Sequence, residues 1–104
     1  MALHTLKKSV TTPGTKVALA DTRTPASNAI AQSFDGNTGP VYIGDSTVAY
    51  DASANGKSYT GHKLIPGDSI PLSELGGGSY LDLQTIYIDA DNAADGLCVT
   101  YGRR

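Results

Sequence analysis

The chain of 104 residues contains a single cysteine, Cys98, and no tryptophan. One cysteine excludes an intrachain disulfide. The absence of disulfides is typical of proteins that fold in a reducing cytoplasm. No stretch approaches the roughly 18 apolar residues of a membrane-spanning helix, and residues 1–10 lack the apolar segment of a secretory signal. We therefore expect a protein that is made in the cytoplasm, has no membrane partner and is not exported by a signal of its own.

Charged residues are also scarce, at 17% of the chain, and the net charge is −2. A protein that binds nucleic acid through its main surface usually carries an excess of positive charge. Two short basic pairs occur, Lys7-Lys8 and Arg103-Arg104, and they are too short to change this interpretation. We expect no nucleic-acid partner. The two pairs are candidates for contact with an acidic protein surface, or they belong to solvated tails.

Helix signals are few, because 12 glycines and five prolines interrupt the chain about every ten residues. Short β-branched and aromatic runs lie between them, and "PVYIGD", "TIYIDA" and "GLCVTYG" alternate with a period of two. This pattern predicts an all-β fold, a single antiparallel β-sandwich of jelly-roll or Ig-like type. Residues 1–12 would form an extended N-terminal arm or a first edge strand, and residues 13–104 the sandwich domain.

The alternation also predicts which side chains face the core. These are Val17, Leu19, Val41, Ile43, Ile70, Leu72, Ile86, Ile88, Leu97, Val99 and Tyr101. Pro71 cannot donate a ladder hydrogen bond, so its strand is predicted to lie at a sheet edge or to be interrupted there. The polar stretch 50–61 is either a hairpin of its own or a mobile loop.

The stretch "YIDADNAADGL", residues 87–97, brings Asp89, Asp91 and Asp95 close together in sequence. An EF-hand loop needs acids at alternate positions, then glycine and a later glutamate. Here the third acid comes too late and no glutamate follows. Asp and Asn are favoured in turns, so we predict a hairpin turn between two strands. The three aspartates remain weak candidates for a metal ion, and no cofactor is expected.

No other group of residues indicates catalysis. His4 and His62 are far apart and lack the spacing of zinc ligands. Cys98 has no indicated base to lower the pKa of its thiol. The run "GGGS" lacks the ending of a phosphate-binding loop, and "GDS" at residues 44–46 lacks the glycines of a nucleophile elbow. The residues therefore predict a protein that is not an enzyme.

Tyrosine is the abundant aromatic residue, with six copies. Tyr42 and Tyr87 are predicted on the strand faces opposite the core, and Tyr50 and Tyr59 lie in the polar stretch. Tyrosine is favoured at protein–protein contacts, so these four are interface candidates together with Lys7, Lys8, Arg103 and Arg104. The alternative is that the tyrosines cover a sheet face or pack under a loop.

Three segments in series carry a resemblance to a known group of proteins. They are "GNTGPVYIGDSTV" (36–48), "LIPGDSIPL" (64–72) and "LQTIYIDADNAADGLCVTY" (83–101). The series resembles small structural proteins of tailed bacteriophages over residues 15–101, although each motif alone is short. The sequence departs from that pattern in the longer stretch 50–61 and in the glycines of "LSELGGGSY".

The resemblance implies a β-sandwich building block of the virion, of the kind found among capsid decoration (cement) proteins. Such a protein would sit on the outer capsid surface, bind the major capsid protein and self-associate, with a trimer as our expectation. Its N-terminal segment could add a strand to a neighbouring subunit. The alternatives are a neck, tail or fibre component of the virion, or, from another class, a carbohydrate-binding β-sandwich.

Overall fold

The computed structural model describes residues 3–51, 58–72 and 81–103, and these residues are mostly β. The strands are β1 (Leu3–Ser9), β2 (Val17–Ala18), β3 (Pro25–Ser33), β4 (Val41–Gly44), β5 (Ala49–Asp51), β6 (Ser58–Thr60), β7 (His62–Leu64), β8 (Ser69–Pro71), β9 (Leu81–Asp82), β10 (Tyr87–Ala90) and β11 (Gly96–Arg103). One 3₁₀ turn, Leu83–Thr85, lies between β9 and β10. None of the described segments forms a helix long and apolar enough to cross a membrane.

The strands form two antiparallel sheets and a separate hairpin. The first sheet has the order β1-β11-β3-β8, and β9 also pairs with β3. The second sheet has the order β2-β10-β4-β7, and β5 pairs with β6. Two antiparallel sheets, with a path of four strands in each and β9 as a fifth strand of the first, are compatible with the predicted β-sandwich. The jelly-roll or Ig-like connectivity stays a prediction.

The apolar core is built largely from the residues that alternation selected. Val41, Ile43, Ile88, Leu97 and Val99 are fully buried. Leu19, Leu72 and Tyr101 are buried as well, while Val17, Ile70 and Ile86 pack against the core from its margin. Removing each large apolar side chain from water contributes roughly 1.5–3 kcal/mol. The predicted core positions are therefore confirmed.

The N-terminal segment and the proline-containing strand both lie at sheet edges. Residues 3–9 form β1, which pairs with β11 along its whole length rather than extending from the domain as an arm. Pro71 ends β8 at the opposite edge of the same sheet, as predicted. The glycine-rich "LSELGGGSY" segment falls almost entirely outside the described residues.

The predicted hairpin at residues 91–95 is wrong. β10 pairs with β2 and β4, whereas β11 pairs with β1 and β3, so the turn crosses from one sheet to the other. Val10 holds this crossing in place through two backbone hydrogen bonds. The Ala94 N–H donates to the Val10 carbonyl at 2.8 Å, and the Val10 N–H donates to the Asp95 carbonyl at 2.9 Å. Alternation predicts the face of each side chain but not the neighbouring strand, which explains the error.

The outer face of the second sheet is covered by other parts of the chain. Tyr42 is 2% exposed and packs with Val48 and Tyr87 in a second, small apolar cluster. The β5–β6 hairpin lies against β10 and β4 over this face. The stretch 50–61 thus contributes a hairpin, with residues 52–57 outside the described part of the chain.

Asp82 closes a local turn that joins the two sheets. Its Oδ1 accepts hydrogen bonds from the backbone N–H of Thr24 at 2.8 Å and of Gln84 at 3.0 Å. The bond from Thr24, followed by that from Gln84 and the nearby Arg23 guanidinium, holds the pKa of this carboxyl below its usual value, although partial burial opposes the effect.

We expect Asp82→Ala to lower the free energy of unfolding by about 1 kcal/mol at neutral pH, the usual worth of an N-cap side chain. A carboxyl whose pKa is lower in the folded than in the unfolded protein stabilises the folded state at pH values above its unfolded pKa, about 3.9. This stabilisation is lost as the pH falls through the folded pKa. The difference between wild type and variant should therefore shrink in acid. Urea unfolding at several pH values measures it, and Asp21→Ala at an exposed carboxyl is the control. A difference that is constant with pH would contradict the assignment.

Candidate functional site

Two aspartates of the acidic turn bind backbone N–H groups of distant loops. Asp95 is buried, and its two carboxylate oxygens accept from the N–H of Thr38 at 3.0 Å and of Gly39 at 2.9 Å. Asp89 is fully buried on the covered face of β10, and its Oδ1 accepts from the N–H groups of Gly14 at 3.0 Å and Ala90 at 2.8 Å. Each carboxylate therefore fixes a loop to the sandwich.

Asn37 and Gly96 make a reciprocal pair of hydrogen bonds beside Asp95. The Asn37 Nδ2 donates to the Gly96 carbonyl at 2.8 Å, and the Gly96 N–H donates to Asn37 Oδ1 at 3.0 Å. Together with the bonds from Thr38 and Gly39 to Asp95, this joins "NTG" of the first motif to "DG" of the third. We call this group of five residues, 37–39 with 95 and 96, the loop clasp.

The acidic turn does not assemble a recognisable metal centre. Among the described residues, no three His, Cys, Asp or Glu side chains lie close enough together to hold a metal ion. Asp91 Oδ1 is buried without a hydrogen-bond partner, but it is a single oxygen, and the other two aspartates are directed at backbone N–H groups. The geometry thus gives Asp89 and Asp95 structural roles.

A shallow polar groove of about 470 Å³ lies at one end of the second sheet. Its described lining is Asp45, Ser46, Gln84, Thr85 and Tyr87. The hydroxyl of Thr47, at 2.6 Å, and then its N–H, at 2.9 Å, donate to Asp45 and lower the pKa of its carboxyl. These side chains offer hydrogen bonds and one aromatic ring to a polar ligand, but the described lining holds no pairing of a nucleophile with a base.

The structure separates the predicted interface residues. Tyr42 is buried and Tyr87 half-buried under the β5–β6 hairpin, which corresponds to the alternative that they pack beneath a loop. Lys7 is exposed on β1, and the Lys8 ammonium lies 3.4 Å from Asp21 Oδ1. The side chains of Tyr50, Tyr59 and Arg103, and all of Arg104, lie outside what the structure describes.

The remaining single residues of interest are not brought into one site. His4 stacks on Tyr101, with ring centroids 5.7 Å apart. Cys98 is a half-buried free thiol on β11, opposite Lys7 and Gln32 on the neighbouring strands. His62 is exposed at the start of β7.

The outer face of the first sheet is a regular surface that the described residues leave uncovered. Paired residues on neighbouring strands share a face, so the strand registers place its side chains in rows. One row is Thr5, Thr100, Ile30 and Pro71, and the next is Lys7, Cys98, Gln32 and Ser69. We call these eight residues the open face.

The open face has the character of a protein-contact surface. Ile30 lies near its centre and is 50% exposed, and its neighbours are uncharged except for Lys7. The buried centres of protein–protein contacts are poor in charged residues, which this patch shares. Sequence reasoning missed this surface, since the alternation of "SNAIAQSF" permits a strand but indicates neither the exposure of Ile30 nor the strands that flank it.

Comparisons with known proteins give no match: no family model, no curated protein and no solved structure is significantly similar to the chain. The resemblance to phage structural proteins therefore rests on the three motifs. In the structure, parts of the first and third motifs meet in the loop clasp, and the second supplies β8 at the edge of the open face.

Proposed function

We propose that the protein is a non-enzymatic structural component of a bacteriophage virion, a capsid decoration protein that binds and stabilises the major capsid protein on the outer surface of the shell. The observation that supports this function best is the open face, a regular and weakly charged sheet surface on a small β domain. The series of three motifs supports the same assignment.

The size of the open face fits a partner that repeats its binding site many times. Four strands at about 4.8 Å spacing make a patch only about 15 Å wide between the outer strands. A contact this small gives modest affinity for one copy. On a shell, adjacent copies that also contact one another bind together, so that many weak contacts add to a stable layer. We therefore also propose that copies of the protein associate with one another on the shell, as a trimer.

We expect Ile30→Glu to weaken binding to expanded shells that lack the protein by about tenfold or more, because it replaces the apolar side chain near the centre of the open face with a charge. Ile65→Glu is the matched control, since Ile65 is 51% exposed but lies in the turn before β8, away from the open face. Binding is measured by co-sedimentation of protein with shells, and circular dichroism checks that both variants are folded.

Two results would contradict the proposal in different ways. Failure of the wild-type protein to bind shells in stoichiometric amounts excludes the decoration role. If both isoleucine variants lose binding equally, the decoration role stands, but the open face is not the contact surface. The trimer is tested separately by light scattering of the protein free and released from shells.

A neck, tail or fibre position is the nearest alternative within the virion. Copy number in purified particles distinguishes the two, because a shell protein repeats over the whole capsid and a neck or tail protein forms one ring or a short stack of rings.

The polar groove supports a second candidate function of another class, carbohydrate binding. Tyr87 is half-buried at the groove and could contact a sugar ring, while Asp45, Gln84 and Thr85 offer hydrogen bonds to hydroxyl groups. A glycan array run with and without a chelator tests it, and the chelator also tests the weak calcium candidates at the acidic turn.

A further inference from the structure

The edges of the two sheets differ in length and regularity. β2 has two residues, and β7 and β8 have three each, with Pro71 in β8. β1 has seven residues without proline, and all seven pair with β11 in continuous register. Within the described ranges no strand pairs with its other side. A long, regular edge strand presents a row of unpaired N–H and C=O groups that can accept a further strand.

β1 carries a positive charge on each of its two faces. Lys7 projects from the open face and is exposed, whereas Lys8 projects from the other face with its side chain 27% exposed. The contact from Lys8 to Asp21 is weak, because Asp21 is 91% exposed and the pair is screened by water. The strand "LHTLKKS" contains no acidic residue to offset these charges.

The two lysines determine which strand can add to this edge. A second copy of β1 would bring its own two lysines against them, and like charges on neighbouring strands are destabilising. Lysine at an exposed edge is a common protection against pairing of identical sheets. The same charges attract a strand that carries acidic side chains, so the edge excludes one class of partner and favours another.

We propose that β1 is a docking edge for an extended, acidic segment of a different protein. The segment adds to the sheet as a strand through main-chain hydrogen bonds, and two successive acidic residues, one on each face, lie beside Lys7 and Lys8. Leu3, which is 76% exposed at the start of β1, gains an apolar neighbour. This inference does not depend on the proposed virion role, since it rests on the edge and its charges alone.

A charge-reversed copy of the protein supplies the acidic strand for a test. The variant Lys7→Glu/Lys8→Glu is mixed in equal amounts with wild type and examined by sedimentation velocity. We expect a heterodimer that neither protein forms alone and that is about tenfold weaker in about 0.5 M salt, because salt screens the charge pairs. The control variant Lys16→Glu/Lys63→Glu has the same net charge with β1 unchanged, and it should form no complex.

Peptides provide a second measurement that does not require the variant to fold. The peptide LHTLEES should shift amide NMR signals of β1 and its neighbour β11 in the wild-type protein, and the peptide LHTLKKS should not. Absence of both the heterodimer and the shifts overturns the proposal. A complex of equal strength with the control variant also overturns it, since attraction would then come from overall charge rather than from the edge.

Discussion

Gly96→Ala should destabilise the protein by about 3 kcal/mol or more. A Cβ at residue 96 would lie 2.1 Å from the carbonyl oxygen of Lys8 and 2.7 Å from the Cα of Ser9. Both are backbone atoms of β1, so no side chain can rotate away to make room. Either β1 separates from the start of β11 or Gly96 shifts and breaks its two hydrogen bonds with Asn37.

Thermal and urea unfolding measure this loss, which corresponds to a fall in melting temperature of roughly 10 °C or more for a domain of this size. Gly36→Ala is the control, because no atom lies within 4 Å of a Cβ at residue 36. That variant should stay within about 0.5 kcal/mol of wild type. Similar stability of the two variants would show that β1 and β11 do not approach as closely as the structure indicates.

Asp95→Ala should lower the free energy of unfolding by about 2 kcal/mol. It removes the two carboxylate acceptors of the loop clasp and leaves the N–H groups of Thr38 and Gly39 without their partner. A buried donor without a partner costs about 1–3 kcal/mol, and bonds to a charged acceptor are at the strong end of the range. Two fully buried donors at the strong end of this range would together cost about 5 kcal/mol. The expected loss of stability is only about 2 kcal/mol because these N–H groups are partly buried and water can reach them.

Asp35→Ala is the matched control for this change, since Asp35 is an exposed carboxylate in the same connection between β3 and β4. It should change stability by less than about 0.5 kcal/mol. Amide hydrogen exchange adds a local measurement, because Thr38 and Gly39 should lose protection in Asp95→Ala and keep it in Asp35→Ala. Unchanged protection at these two amides would contradict the role of Asp95 in the clasp.

The sequence was sufficient to predict the fold class and most of the core, because burial of one sheet face imposes a period of two on the chain. Ile43, Ile88 and Val99 were selected in this way and are fully buried. The pairing of strands was not predictable by the same argument, since a strand shows the same alternation whichever strand lies beside it. The failed hairpin at residues 91–95 follows from that limit.

The candidate surfaces were harder to predict because each depends on parts of the chain that are far apart in sequence. Tyr42 was assigned correctly to the face opposite Ile43, but the β5–β6 hairpin covers that face. The bonds of the loop clasp join residues 56 to 59 positions apart, and nothing local in "NTG" or "DG" indicates the partner. The open face likewise appears only when β3 is placed between β11 and β8.

The position of β11 between β1 and β3 has a consequence for synthesis on the ribosome. β3 is the longest strand among the described residues, and one side of it receives its neighbour only when residues 96–103 have emerged. Until then the nascent chain exposes a nine-residue strand edge without a lysine, and long unprotected edges of this kind promote aggregation. Because its closing contacts join distant segments, the domain should fold slowly, and truncation before β11 should yield insoluble protein.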